Sequence, residues 1–144
     1  MVGDKWTLLV LRELYMGVTR FDEIQVQTSA TPQMLANRLK SLEANGLVER
    51  RPYSEKPLCF EYQLTRKGWA LYPVTYALRA WGEAWCKEPG EEVAVRFVHP
   101  VCGHDVHFAN VCAHCGAPVS RDDLDAFVSA GFQTERQARR EIFK

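Results

Sequence analysis

One stretch of the chain decides its fold: residues 20–64 read RFDEIQVQTSATPQMLANRLKSLEANGLVERRPYSEKPLCFEYQL. The spacing of its apolar residues predicts a short helix over 20–26 and a second helix that begins at Thr31-Pro32. A hydroxyl residue followed by proline is typical of a helix N-terminus, and Asn45-Gly46 is typical of a C-terminus. Two strands joined by a polar loop follow. This order of elements predicts a winged helix-turn-helix.

Helical spacing continues on both sides of this stretch. Residues 4–15 predict an N-terminal helix, and residues 66–86 predict a long helix that Pro73 bends or interrupts. Residues 88–91 (Glu-Pro-Gly-Glu) are typical of a linker. The elements predicted beyond it are a strand at 93–98 and two small helices at 121–128 and 134–143.

Composition favours one ordinary domain with a small appendage. The chain has 144 residues, of which 47% are hydrophobic, so it has enough apolar side chains to form a core. It contains no apolar run near the roughly 20 residues that span a bilayer, and no signal peptide. We therefore expect a soluble, cytoplasmic protein without a membrane partner.

Charge is balanced overall but uneven along the chain. The 18 basic and 18 acidic residues give a net charge of zero. Residues 31–68 nevertheless hold seven basic against four acidic residues. A local basic patch suits a phosphate backbone, because exposed charges act within a Debye length of about 8–10 Å.

The helix that begins after Thr31 has an apolar side and a polar side. Leu35, Leu39 and Leu42 form a buried stripe at helical spacing. Asn and Gln suit adenine and Lys suits guanine or phosphate, whereas Arg38 lies at the edge of the polar face and suits the backbone. A polar face that is merely solvated is the alternative. The candidate DNA contacts are Thr31, Gln33, Asn37, Arg38, Lys40 and Ser41 on the helix, with Arg51 and Lys56 on the hairpin.

Several blocks in the same order resemble HxlR-type winged helix-turn-helix transcriptional regulators. They read GDKWTLLVLREL at 3–14, RFDEI at 20–24, MLANRLKSLEANGLV at 34–48, EYQLT at 61–65 and WG at 81–82. The resemblance covers roughly residues 3–85. It implies a homodimeric bacterial or archaeal regulator in which the helix from Thr31 reads each half-site of double-stranded DNA, and it implies no catalysis.

Family members usually carry a further N-terminal segment with a cysteine before the first of these blocks. Here Met1 stands almost inside the block. A thiol switch that relies on that cysteine is therefore not expected, nor is a dimer contact made by that segment.

The long helix carries a continuous apolar stripe. Two tryptophans four residues apart are more than one helix of a small domain needs to cover its own core, so we expect the stripe to form a homodimer interface, as the resemblance also implies. Packing against the C-terminal segment of the same chain is the alternative. The predicted interface residues are Leu71, Val74, Leu78, Trp81 and Trp85.

A cysteine- and histidine-rich segment follows the linker. His99-Pro-Val-Cys102-Gly and Cys112-Ala-His-Cys115-Gly each place two metal-binding side chains three positions apart and end in glycine. This is the spacing of a zinc knuckle, in which glycine adopts the backbone angles of the turn. Four ligands close the site, so we predict one structural Zn²⁺ per chain.

Alternatives for this segment stay open at the level of sequence. His104 stands close enough to Cys102 to replace His99 as a ligand. The segment could also be a ribbon that keeps its fold without metal, or Cys112 and Cys115 could form a redox-active dithiol, although no nearby charge favours a low thiol pKa.

Together these patterns predict a fold that is mainly α with a small β wing, plus a small zinc-ribbon-like β segment and short C-terminal helices. The predicted domains are 1–88, for DNA binding and dimerisation, and 89–144, the zinc-ribbon-like extension.

The predicted function is sequence-specific transcriptional regulation rather than enzymatic catalysis. A winged-helix module for protein contacts, with the ribbon as its docking tail, is the alternative. Trp69, Tyr72 and Tyr76 could line an effector pocket, or they could pack in the core. The sequence names no effector.

Overall fold

The computed structural model describes residues 3–55, 58–106 and 111–143. The chain packs into two compact units, residues 1–75 with 139–144, and residues 76–138. These units describe packing within one copy of the chain. The functional domains 1–88 and 89–144 are a different division and stay a prediction.

The first unit contains the helix-turn-helix and the wing. Its β1 and β2 strands pair antiparallel from Val48 opposite Leu64 outward, with an irregularity between Pro52 and Ser54. The elements are α1 Lys5–Tyr15, α2 Phe21–Thr28, α3 Pro32–Ala44, β1 Val48–Glu55, β2 Leu58–Leu64, α4 Arg66–Ala70 and the first turn of α5 Tyr72–Trp85. The order of elements expected for a winged helix-turn-helix is confirmed.

The turn between α2 and α3 lies slightly later than the sequence indicated. Helix α2 continues to Thr28, whose Oγ1 donates a hydrogen bond to the Ile24 carbonyl at 2.8 Å. Ser29 then adopts a left-handed conformation with φ of 56°. Helix α3 begins where predicted, since the Thr31 hydroxyl accepts a hydrogen bond from the Met34 N–H.

The core of the first unit joins α3 to α1 and α2. Leu35, Leu39 and Leu42 are at most 1% exposed and belong to one apolar cluster with residues of α1, α2 and β1. Burial of a leucine contributes about 1.5–3 kcal/mol relative to exposure. This stripe therefore fixes which face of α3 remains in solvent.

The predicted long helix is interrupted at Leu71. Helix α4 ends at Ala70 and α5 begins at Tyr72, one residue before Pro73. Proline lacks the N–H that would bond to the preceding turn but is tolerated in the first turn of a helix. The interruption expected at Pro73 is confirmed.

The second unit contains the rest of α5 and a three-stranded antiparallel sheet with strand order β4-β3-β5. Strand β3 covers Val95–His99, β4 covers His104–Asp105 and β5 covers Asp125–Val128. Helix α6 follows at Ala130–Ile142, and its residues up to Ala138 belong to this unit. The helix expected at 121–128 is wrong: a 3-10 turn at Arg121–Asp123 leads into β5. Pairing of Arg96 with Phe127 and of its neighbours along β3 overrides the local helical spacing.

Among the described residues, no helix is both long and apolar enough to cross a membrane.

Candidate DNA-binding surface and metal site

Helix α3 presents an exposed polar face opposite its buried leucines. Gln33, Asn37 and Lys40 are exposed and Ser41 is half-buried. Gln33 Nε2 donates a hydrogen bond to Asn37 Oδ1 at 3.2 Å, one helical turn apart. The pair leaves the amide N–H donors of Asn37 and the carbonyl oxygen of Gln33 on the solvent side, where base edges can be met.

Both ends of α3 are held by side chains. Thr31 caps the N-terminus and is itself exposed. At the C-terminus, Thr65 Oγ1 donates to the Gly46 carbonyl at 2.7 Å and Lys67 Nζ donates to the Asn45 carbonyl at 2.8 Å. A cation near a helix C-terminus is also favoured by the helix dipole. The polar face is therefore presented by a helix whose two ends are held by side-chain hydrogen bonds.

Arg38 is engaged within the protein. Its Nη2 lies 2.9 Å from Oδ2 of Asp4, the residue that caps α1. The side chain of Arg38 is 36% exposed, and its Nε is buried without a hydrogen-bond partner. Arg38 thus lies at the edge of the polar face, as expected, but its charge already faces a carboxylate.

The wing carries two arginines in different environments. Arg51 forms an exposed ion pair with Glu49 and stands opposite Glu61 in the strand pairing. The Arg50 guanidinium lies over the Phe60 ring, 3.5 Å from its centroid. Lys56, also predicted to contact DNA, lies outside the described residues.

Toward the tip of the wing, Arg20 lies over the ring of Tyr53 at 4.6 Å. A hydrogen bond with the Cys59 side chain raises the pKa of Tyr53, and partial burial adds to the shift. Cys59 is half-buried, in keeping with a packing role.

Helix α5 exposes most of the apolar stripe that the sequence placed on a dimer interface. The exposed fractions are 61% for Val74, 51% for Leu78, 55% for Trp81 and 77% for Trp85. Leu71 differs, because it packs against the core of the first unit. Large apolar side chains in a row on one helix are typical of a surface that another molecule covers.

Of the aromatic residues considered for an effector pocket, Tyr72 packs against the core of the first unit, whereas Trp69 is 40% exposed. The Tyr15 ring contacts Trp69 and Tyr72 with centroid distances of 5.5 and 5.0 Å. Burial raises the pKa of Tyr15, whose hydroxyl donates to the Gly68 carbonyl at 2.8 Å. Tyr76 makes a different contact, edge-on against Phe97.

The structure brings the four predicted metal ligands together. One ligand atom from each of His99, Cys102, Cys112 and Cys115 lies within 4.8 Å of all the others. His99 Nδ1 is 3.4 Å from the sulfur atoms of both Cys102 and Cys115, and the Cys102 and Cys112 sulfur atoms are 3.6 Å apart. Tetrahedral zinc requires ligand separations of about 3.5–3.8 Å at its usual bond lengths. The cluster can bind a metal ion.

The turns around the cluster have the geometry expected of knuckles. The Gly103 N–H donates to the His99 carbonyl at 2.8 Å, and the Gly116 N–H donates to the Cys112 carbonyl at 2.9 Å. Both glycines have positive φ, 72° and 71°. His104 is turned away from ligation: its Nδ1 lies 2.7 Å from the Cys102 carbonyl and its ring stacks on that of His114.

Backbone hydrogen bonds favour a thiolate at one ligand. The N–H groups of Cys115 and His114 lower the pKa of the Cys112 thiol to about 6. At Cys102 the His104 N–H acts in the same direction, but loss of solvation and hydrogen bonds with the other two cysteines leave the pKa raised. A thiolate is the form that binds a metal, so Cys112 is prepared for ligation at neutral pH.

Sequence reasoning missed two residues that act on α3, Asp4 and Lys67. Asp4 was placed within the predicted N-terminal helix and the first family block, although it is the cap that precedes the helix. Neither its contact with Arg38 nor that of Lys67 with Asn45 follows from sequence spacing, because the partners are 34 and 22 residues apart.

Comparisons with known proteins agree with this geometry. The family model for HxlR-like helix-turn-helix proteins matches residues 1–89. A helix-turn-helix transcriptional regulator of Mycobacterium tuberculosis is 33% identical over 135 residues, which are 94% of this chain and 85% of the relative. The regulator YodB of Bacillus subtilis is 40% identical over 94 residues, 65% of this chain and 83% of YodB.

Among solved structures, that of the transcription-factor candidate PA1607 is similar with a TM-score of 0.67 and 36% identity, covering 90% of this chain and 88% of PA1607. The match therefore extends well beyond the helix-turn-helix. The chain belongs to the HxlR family of helix-turn-helix transcriptional regulators and is a DNA-binding regulator.

Proposed function

We propose that this regulator binds DNA as a homodimer, with α3 in the major groove and the wing on the flanking backbone. The observation that carries the proposal is the exposed face of α3, where polar side chains stand opposite three buried leucines on a helix capped at both ends. A helix of this kind fits the major groove and reads base edges through its polar side chains. The proposed contacts are Thr31, Gln33, Asn37, Lys40 and Ser41 on the helix, Arg51 and Lys56 on the wing, and Arg38 at the edge.

The exposed stripe of α5 supports the homodimer. Val74, Leu78, Trp81 and Trp85 expose half or more of their surface. Tryptophan is enriched among the residues that dominate binding at interfaces. A two-fold dimer would place two α3 helices on half-sites about one DNA turn apart, so a near-palindromic operator is expected.

DNA binding by α3 is tested by replacing Asn37 with Ala. Operator-length fragments selected from random DNA by the wild-type protein would be measured by fluorescence anisotropy. One lost bidentate base contact costs about 1–3 kcal/mol, so the affinity should fall about 5- to 150-fold. Gln137→Ala removes an exposed amide from α6 and serves as the control.

Each outcome of that assay is informative. Binding that is weakened by Asn37→Ala but not by Gln137→Ala supports α3 as the reading helix. Equal binding by all three proteins would reject it. A wild-type protein that selects no DNA would instead favour a winged helix used for protein contacts.

We further propose that the ion held by the cysteine cluster is Zn²⁺, one per chain, in a structural role. Three thiolates and one imidazole are the donor set that zinc prefers, and four protein ligands leave no position for a reacting molecule. The ion would tie the turn after β3 to the knuckle at Cys112. Elemental analysis of the purified protein should find about one zinc per chain, and a folded protein without metal would identify the segment as a ribbon that packs without an ion.

A further inference from the structure

One carboxylate joins the start of α1 to the middle of α3. Asp4 Oδ1 accepts hydrogen bonds from the N–H groups of Trp6 and Thr7 at 2.7 and 3.1 Å. Its other oxygen, Oδ2, lies 2.9 Å from Arg38 Nη2. The hydrogen bonds to Oδ1 fix the carboxylate relative to α1. Arg38 of α3 therefore pairs with an oxygen, Oδ2, whose position is set by α1.

Arg38 is held against the protein rather than extended into solvent. Its Nε is buried without a hydrogen-bond partner, and only 36% of the side chain is exposed. An arginine that is free to bind a phosphate would keep its whole guanidinium in water. The charge of Arg38 is therefore partly neutralised by Asp4, which weakens its attraction to a DNA phosphate.

The contact between Asp4 and Arg38 opposes rotation of α3 about its own axis. Leu35, Leu39 and Leu42 hold the helix against the core, and the contacts of Thr65 and Lys67 hold its C-terminal end. Apolar packing has no directional bonds, so a small rotation about the helix axis is resisted mainly by steric fit. Arg38 precedes Lys40 by two residues and follows Asn37 directly, so fixing the direction of Arg38 fixes the direction in which its neighbours point.

We propose that Asp4 and Arg38 are positioning residues, which set the rotation of α3 so that Asn37 and Lys40 face the groove, and that Arg38 acts on DNA through this contact rather than by binding a phosphate. The proposal rests on the reading role given above to α3. It revises the role of Arg38 within that function.

The sign of the charge at Asp4 makes the proposal testable. Removing a negative charge from a DNA-binding surface ordinarily strengthens binding, because it reduces repulsion of the phosphates. If Asp4 positions α3, removing the charge should weaken binding instead. Asp4→Asn keeps an oxygen that can cap α1 and removes only the ion pair.

The experiment measures the affinity of full-length Asp4→Asn, Arg38→Met and the double variant for the selected DNA at several salt concentrations. Each single change should weaken binding by about tenfold, the scale of coupling between residues in contact, and the double variant should be no weaker than either single one. The slope of affinity against salt should stay that of the wild type, since no phosphate contact is lost. Glu23→Gln, which removes an exposed acidic charge from α2, should bind as well as the wild type or better.

The opposite pattern would overturn the proposal. A phosphate contact by Arg38 predicts that Arg38→Met lowers the salt slope by about 0.9 per chain and that Asp4→Asn binds at least as tightly as the wild type. Amide hydrogen exchange of the free protein supplies a readout without DNA. Asp4→Asn should speed exchange along α3 around Asn37, and unchanged exchange there would also reject the proposal. Asn37→Ala in the same assay tests the reading role of α3 separately.

Discussion

At the scale of single residues, this fold depends on a close approach at Gly68. A Cβ atom at this glycine would lie 2.2 Å from the Leu47 carbonyl oxygen and 3.0 Å from Leu64 Cδ2. The Gly68 carbonyl also accepts the hydrogen bond from Tyr15. The absence of a side chain at Gly68 thus lets α4 pack directly on the backbone that leads into the wing.

Gly68→Ala should therefore destabilise the protein, whereas Gly82→Ala should not. Overpacking against a backbone atom costs about 1–3 kcal/mol of the free energy of unfolding. A Cβ at Gly82 meets no atom within 4 Å, and alanine in a helix is favoured over glycine by about 0.5–1 kcal/mol. Chemical denaturation of the two variants checks this difference, and equal stabilities would show that α4 can shift to accept a methyl group.

At the scale of elements, the wing and the knuckles each use local geometry to present particular side chains. In the wing, neighbouring residues of β1 point to opposite faces of the hairpin. Arg51 is paired with Glu49, whereas Arg50 stacks on Phe60 and forms no ion pair among the side chains that the structure describes, which leave out that of Glu55. The two arginines are therefore unequal sources of positive charge.

Arg50→Ala should weaken DNA binding more than Arg51→Ala, a prediction that adds Arg50 to the contacts proposed for the wing. An unpaired guanidinium retains its full charge for a phosphate, while that of Arg51 is already partly neutralised by Glu49. We expect a loss of several-fold for Arg50→Ala and a reduction of the salt slope by about 0.9 per chain. The two variants would be titrated with the same DNA across salt concentrations. A larger loss at Arg51 would indicate that its ion pair with Glu49 opens on binding.

In the knuckles, Cys112 is the ligand whose replacement should matter most. It is fully buried, and its thiol has a pKa of about 6. Cys112→Ser should lower the zinc content from about one per chain to near zero and lower the melting temperature, because the metal contributes to folding. Cys59→Ser and Cys86→Ser remove cysteines outside the cluster and should keep the metal. Elemental analysis and thermal melting distinguish these cases.

At the scale of the whole molecule, the exposed apolar face of α5 supports the homodimer proposed above. No residue of this helix is fully buried, although its sequence is rich in large apolar side chains. Burial of such side chains in a partner would add about 1.5–3 kcal/mol each. Dimer formation and DNA binding should then be lost together.

Trp81→Glu combined with Trp85→Glu should convert the dimer to a monomer. A carboxylate buried in an apolar interface without a partner is strongly unfavourable. Analytical ultracentrifugation should show the change in mass, and affinity for a palindromic site should fall by at least tenfold because one half-site alone is bound. Phe127→Glu alters an equally exposed aromatic residue of β5, 55% exposed, and should remain dimeric. A double variant that stays dimeric would place the interface elsewhere.

The sequence by itself determined the features whose causes are local. Helix α3 begins after Thr31 as predicted, because the cap and proline act within one turn. The break before Pro73 and the knuckle glycines Gly103 and Gly116 follow from backbone constraints of single residues. The four metal ligands could also be predicted from the sequence, since the two ligands of each pair lie three positions apart in one turn.

Only the tertiary structure decided the features that join distant residues. The segment at 125–128 forms a strand because β3, about 30 residues earlier, supplies its hydrogen-bond partners. The choice of His99 over His104 depends on the turn that directs His104 toward the Cys102 carbonyl. The contact of Asp4 with Arg38 exists because α1 and α3 pack against each other, and helical periodicity does not specify which residues of two helices meet.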